Sequence, residues 1–137
     1  MLPFGVANIV QSGDDLTVIT WGAMVHRCAE AAEAAAGGRG SIELIDLRTI
    51  VPWDKSSVLK SIAKTGKCLI VHEDGLTGGF GAEIAATIAQ EAFFDLDAPI
   101  VRVATLDVPI PYNAGLMHAV TPTLEKIRAE MEKLIKL

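Results

Sequence analysis

Basic charge, cysteine and aromatic side chains are all scarce in this chain, and each shortage removes a class of function. Twelve Lys and Arg stand against seventeen Asp and Glu, a net charge of −5. A nucleic-acid surface needs a basic excess to neutralise phosphates, so that partner is excluded. The two cysteines, Cys28 and Cys68, lie far apart without CxxC spacing. They cannot staple a small scaffold and read as buried reduced thiols, one in an Ala-rich helix and one opening an apolar strand. Aromatics make up 5%. Neither Trp21 nor Trp53 has an aromatic neighbour in sequence that would suggest base stacking, and both read as core or interface residues. His26 and His118 stand alone, with no HxH or HExxH spacing for a metal, and His26 reads as lying on or beside a packing face. No apolar run approaches the ~20 residues that span a bilayer. Met1 to Gly5 lacks the basic-then-apolar pattern of a secretory signal, and the simplest location is the cytoplasm.

What is abundant is small aliphatic mass. Half of the 137 residues are hydrophobic, enough for one domain with a core that needs neither disulfide nor metal. Leu16 to Trp21, Ile42 to Leu47, Cys68 to Val71 and Ile100 to Ala104 are short β-branched or continuous apolar runs, read as buried strands. Ala7 to Val10 is a possible edge strand. Between them the spacing becomes helical. Ala23 to Ala36 places Met24, Val25, Cys28, Ala29, Ala32 and Ala36 on one side and stops at Gly37-Gly38. A second helix starts from Asp54 as N-cap, carries Val58, Leu59, Ile62 and Ala63 inward and closes at Gly66. A third covers about Phe80 to Phe93, with Phe80, Ile84, Ala85, Ile88 and Ala92 toward the core. Val108-Pro109-Ile110-Pro111-Tyr112 is an ordered loop, since two prolines exclude helix and central strand. The last helix is expected to begin at Thr121 as N-cap with Pro122 in its first turn. It repeats Leu124, Ile127, Met131 and Leu134, with Lys126–Glu130 and Glu132–Lys136 as charge pairs. This alternation predicts an α/β fold of three layers, α/β/α, around a mainly parallel sheet of four or five strands. Residues 1–12 read as a linker remnant and residues 13–137 as the domain.

In such a sheet, chemistry belongs in the crevice beyond the carboxyl ends of the strands. Trp21-Gly22-Ala23, Asp46 to Thr49 and His72 to Gly81 should emerge there. The last is the most suggestive, because His72, Glu73 and Asp74 precede a glycine-rich turn that opens a helix whose first amides could bind an anion. It nevertheless fails the dinucleotide fingerprint, having Ile84 at the third small position, and it lacks the lysine of a phosphate loop. The plainer reading is that its glycines allow a tight turn and close helix–sheet packing. His72 could act as acid or base with Glu73 or Asp74, but no Ser or Cys nucleophile sits in a recognisable elbow. Asp46 and Arg48 read as a salt bridge or an interface contact. No catalytic, cofactor-binding or metal-binding residue is assigned, and this scaffold lacks an assembled catalytic constellation.

Six blocks, taken in order, carry a resemblance. They are Gly13-Asp14-Asp15-Leu16-Thr17-Val18-Ile19-Thr20-Trp21-Gly22, Ile45 to Asp54, Val71-His72-Glu73, Thr77 to Ile84, Leu96-Asp97-Ala98-Pro99 and Asp107 to Tyr112. Jointly they resemble the transketolase C-terminal domain as it occurs in β chains of thiamine-diphosphate 2-oxo-acid dehydrogenases, and the Thr77-Gly78-Gly79-Phe80 form resembles the branched-chain 2-oxo-acid and bacterial pyruvate members more than transketolase itself. Leu2 to Gly5 is similar to that family's interdomain linker, whereas Asn113 to His118 departs from it. The resemblance implies an assembly domain, inactive alone, of an enzyme that decarboxylates a 2-oxo acid with thiamine diphosphate and a divalent cation such as magnesium and acylates lipoyl-lysine. No cofactor is expected on this segment itself. The implied partners are the remaining domains and α chain, a second β chain, and the subunit-binding domain of the lipoyl acyltransferase. At that last contact the resemblance places Asp97 and the carboxylate of Leu137. Two other readings stay open: the same domain from a transketolase or related thiamine-dependent synthase, and a free-standing α/β protein that binds an anion at Gly75 to Gly81.

Overall fold

The computed structural model describes residues 1–35 and 41–137. Ala36 and the helix stop expected at Gly37-Gly38 lie outside the described residues. The elements in chain order are β1 (Asn8–Gln11), β2 (Leu16–Thr20), α1 (Met24–Ala35), β3 (Ile42–Asp46), α2 (Lys55–Thr65), β4 (Cys68–Gly75), α3 (Phe80–Glu91), a single 3₁₀ turn (Phe93–Asp95), β5 (Val101–Thr105), α4 (Ala114–Val120) and α5 (Leu124–Ile135). The strands form one sheet in the order β1-β3-β2-β4-β5. β2, β3, β4 and β5 run parallel, and β1 closes one edge antiparallel to β3.

Period-two alternation divides the core in two. Leu16 and Val18 of β2, Ile42 and Leu44 of β3 and Leu69 and Val71 of β4 face α1 and α5. Ile19, Ile45, Cys68 and Ile70 point the other way, onto Val58 and Ile62 of α2 and Ile84 and Ile88 of α3. The result is the three-layer α/β/α fold. On α1 the fully buried residues are Met24, Cys28, Ala31 and Ala32, and the two alanines let the helix lie close to its neighbour α5. Val25 and Ala29 are only half-buried, and His26 is exposed rather than beside the packing face.

The inner face of α2 differs from the expectation. Its buried residues are Val58, Ser61, Ile62 and Thr65, while Ala63 is exposed. Thr17 of β2 projects toward this face. Its hydroxyl shares hydrogen bonds with Ser61 (2.6 Å) and Thr65 (2.7 Å), so three buried hydroxyls satisfy one another and fix helix to strand. Beside them Glu43 is buried and accepts hydrogen bonds from the Lys64 ammonium and, at 3.5 Å, from the Gly13 amide. Burial pushes the Glu43 carboxyl up, but Lys64, Ser61 and Gly13 outweigh it and hold its pKa below the ordinary value. Gly13 is required, because a Cβ there would overlap the backbone of Ile42.

The carboxy-terminal part also departs from the sequence pattern. α4 is a short helix in a stretch read without one. Asn113 caps it, its side chain accepting from the amides of Gly115 (2.9 Å) and Leu116 (3.2 Å). Thr121 does not start the last helix. It ends α4, donating its hydroxyl to the Met117 carbonyl at 2.9 Å. Thr123 is the N-cap of α5 and accepts from the Lys126 amide at 3.2 Å. Pro122 restricts the residue before it to extended backbone, which separates the two helices. The charge pairs on α5 are Arg128–Glu132 (2.7 Å) and Lys133–Glu130 (3.3 Å) rather than the two expected. Lys126 instead donates to the Ala119 carbonyl at 3.0 Å, tying α5 back to α4.

Candidate functional site

Two regions of the surface gather the residues singled out by the sequence, one at each end of the strands. At the carboxyl end, β4 runs through His72, Glu73 and Asp74 as far as Gly75, so these residues belong to the strand rather than following it. His72 is wholly buried, whereas Glu73 and Asp74, at the end of the strand, are exposed. His72 hydrogen-bonds neither carboxylate, although the Asp74 side chain borders the same Gly79 position as the imidazole. The His72 ring stacks face to face on Trp21 (centroids 5.2 Å apart, planes 6° apart), and Phe80 meets the same indole edge-on at 6.3 Å. The other side of the imidazole lies against the first turn of α3, where a Cβ on Gly79 or Gly81 would overlap it. The glycines of this turn thus admit a histidine into the helix–sheet seam. Burial pushes the His72 pKa down, an effect that Arg102 assists and Asp74 opposes.

The glycine-rich turn is held by its own neighbours. Asp107, just after β5, accepts from the Thr77 amide (2.9 Å) and the Thr77 hydroxyl (2.5 Å), and these bonds hold its carboxyl below the ordinary range. The Leu76 amide donates to the Thr105 carbonyl at 2.9 Å, and Arg102 donates to the Leu76 carbonyl at 2.7 Å. Beside this clamp lies an open hollow of about 450 Å³, walled by Glu73, Asp74, Thr105, Asp107, Val108 and Ile110. Its charged lining is carboxylate. An anion at the turn would meet Asp107 already on the Thr77 amide and the His72 ring against Gly79 and Gly81. Asp46 and Arg48, at the end of β3, form no ion pair. The Asp46 carboxylate instead accepts from the Arg48 amide at 3.0 Å, in a turn that places Arg48 at φ 60°. Trp21 and Trp53 both pack half-buried against the α2–α3 core. The two thiols are buried, and burial raises Cys28 to about 12 and Cys68 further still, so neither offers a thiolate. Among the described residues no three His, Cys, Asp or Glu gather as a metal site, and no helix is long and apolar enough to cross a membrane.

Beyond β5 the chain leaves the sheet in a long excursion. Leu106 (50% exposed), Val108 (48%), Ile110 (56%), Tyr112 (102%), Leu116 (58%) and Met117 (40%) all face outward. The sequence pattern predicts an ordered loop over Val108 to Tyr112 but not that the apolar side chains there find no core. The signal was available, because an apolar residue recurs at every second position between prolines that cannot enter a sheet.

At the amino end sit the two residues assigned to partner binding. The Asp97 amide donates to the Gly66 carbonyl at 2.7 Å, and its carboxylate lies over Gly66, which adopts φ 69° at the end of α2. One residue on, the Lys67 ammonium reaches the Ile135 carbonyl at 3.4 Å, near the end of α5. Asp97 and Leu137 are both exposed and share one rim, with the Gly66-Lys67 turn between them.

The family profile described as the transketolase C-terminal domain matches residues 5–127. The chain is 48% identical over 131 residues to the 2-oxoisovalerate dehydrogenase subunit beta 2, mitochondrial, of Arabidopsis thaliana, covering 94% of this chain and 37% of that one. It is 41% identical over 135 residues to the 2-oxoisovalerate dehydrogenase subunit beta of Bacillus subtilis, covering 98% and 41%. Among solved structures, a split-gene transketolase in an inactive beta4 tetramer superposes with a TM-score of 0.84 at 23% identity, covering 99% of this chain and 43% of that one, and it shares the fold. The chain thus spans about two-fifths of the length of these relatives. On the profile match, the fold and these identities together, the chain belongs to the transketolase C-terminal domain family.

Proposed function

We propose that this chain is the assembly domain of a 2-oxo-acid dehydrogenase β chain: residues 13–137 form the domain, and residues 1–12 are a linker remnant that supplies its edge strand β1. Its parent decarboxylates a 2-oxo acid with thiamine diphosphate and passes the acyl group to lipoyl-lysine. The observation that carries the reading is the exposed apolar excursion from Leu106 to Met117. A contiguous patch of this kind on a folded domain marks a protein contact, here a second β chain. The relatives named above are β subunits, which agrees with a partnered chain.

The residues present do not suit thiamine diphosphate. A diphosphate needs free amides or cations, with a divalent ion held by clustered oxygen ligands. Here the Thr77 amide is already bonded to Asp107, the hollow beside it is lined by carboxylates, and the described residues gather no metal cluster. We therefore assign the cofactor to other domains of the parent and keep the α chain among this chain's partners. Asp97 and the Leu137 carboxylate, on the amino rim, face basic residues of the acyltransferase subunit-binding domain, where complementary charge steers association.

Sedimentation of the chain tests the pairing. A concentration-dependent dimer is expected, converted to monomer by Ile110→Asp combined with Tyr112→Asp, with the far-ultraviolet spectrum unchanged. A wild-type chain that stays monomeric at high concentration removes the pairing.

A further inference from the structure

The rim around Asp97 carries an apolar feature that charge alone does not explain. After α3 the 3₁₀ turn directs Ala92 and Leu96 inward, onto the α2–α3 core. Phe93 and Phe94 are thereby turned outward, 64% and 98% exposed, with their rings edge to face at 5.4 Å. Together with Leu96, Pro99 and Ile100 they wall an open hollow of about 580 Å³, and Asp97 stands on its lip. Two adjacent phenylalanines left in water cost hydration free energy, which an occupant would recover.

The surrounding charge says what kind of occupant. Asp95 and Asp97 are exposed, and neither has an ion-pair partner among the described residues. Three lysines of α2 and the turn after it are directed elsewhere: Lys55 to Glu91 (2.8 Å), Lys64 to Glu43, and Lys67 to the Ile135 carbonyl. The Asp97 main chain is tied by its amide to the Gly66 carbonyl, which holds the residue at this position on the rim. A second copy of this chain is a poor occupant, because two-fold pairing here would set Asp95 and Asp97 against their own equivalents.

We propose that Phe93 and Phe94 are the apolar anchor of the docking surface, taking a partner segment that presents an aliphatic side chain beside a cationic one. The aliphatic group fills the hollow between the phenylalanine pair and Pro99, while the cation lies over Asp97 and Asp95. This rests on the docking reading above and adds to it the residues that supply affinity rather than steering. Aromatic side chains, phenylalanine among them, are enriched at the core of such contacts, where a few anchors carry most of the binding energy.

The test is calorimetric titration of the chain with the acyltransferase subunit-binding domain at two salt concentrations, using wild type, Phe93→Ala, Phe94→Ala and Asp97→Asn. Both phenylalanines are exposed, so their truncation should leave the melting temperature almost unchanged. Each is expected to weaken binding about tenfold with the salt dependence preserved, whereas Asp97→Asn should weaken it and flatten the salt dependence. If Asp97→Asn weakens binding while both alanine variants bind as wild type does, the anchor is wrong and the docking reading survives. If wild type does not bind, or Asp97→Asn has no effect, the docking reading falls and takes the anchor with it. If Phe94→Ala alters self-association and leaves partner binding unchanged, the occupant is a second copy and the proposal is overturned.

Discussion

Both ring nitrogens of His72 are buried without a hydrogen-bond partner. Either neutral tautomer therefore leaves one N–H unsatisfied, and protonation would bury an unpaired charge. Its lowered pKa fixes the sign of the linkage. Below the ordinary value of 6.5 the unfolded chain takes up a proton that the folded chain resists. This contribution to stability is complete above that value and is lost as pH falls toward the folded pKa. Urea unfolding between pH 7.5 and 5.5 should show stability falling with acid, and His72→Phe, which keeps a flat ring against Trp21, should flatten that part of the profile. An unchanged slope would mean that His72 is already paired or solvated. The same seam makes Gly81→Ala destabilising by about 1–3 kcal/mol, since the new methyl meets the imidazole. The glycines were legible as packing residues from the sequence alone. What they pack against was not, because Trp21 directly follows β2 while His72 lies on β4, and the parallel register that sets Thr20 beside Val71 brings the next two residues together.

Among the elements, Asp54 joins two that sequence treats separately. Its carboxylate caps α2 through the Ser57 amide (3.0 Å) and also accepts from the Ala7 amide (3.0 Å) just before β1. Burial raises its pKa, but these bonds outweigh it and leave the value lowered, so the contribution is present above the unfolded pKa near 3.8 and lost as acid protonates the folded group. Asp54→Ala should cost about 1–2 kcal/mol near neutral pH and loosen β1 as well as α2, seen as faster amide exchange at both. Thr123→Ala should cost about 1 kcal/mol by chemical denaturation, as expected for a true N-cap. Long elements with alternating or helical patterns could be read directly. The short α4 could not, because Leu116 and Met117 face water and leave no apolar stripe, although Asn113 ahead of it was a usable cap signal. The hydroxyl face of α2 was missed for a related reason. Ser61 and Thr65 look like surface residues until Thr17 arrives from β2 to pair with them.

For the molecule as a whole, the contrast between its interior and one flank decides how it behaves. The central strand β2 is buried along its full length, with separate apolar clusters on its two sides. The excursion after β5 offers nothing to the core and leaves six large apolar side chains in solvent. A folded chain of this kind gains stability by mass action when a second surface covers that flank, since the unfolded chain cannot bind there. The melting temperature should therefore rise with protein concentration over a hundredfold range. Ile110→Asp should abolish the rise while leaving the value at the lowest concentration close to wild type, because an exposed side chain contributes little to the isolated fold. A lowered melting temperature at every concentration would instead show that Ile110 supports the domain itself, and the flank would no longer count as a partner surface. Differential scanning fluorimetry across the dilution series separates the two outcomes.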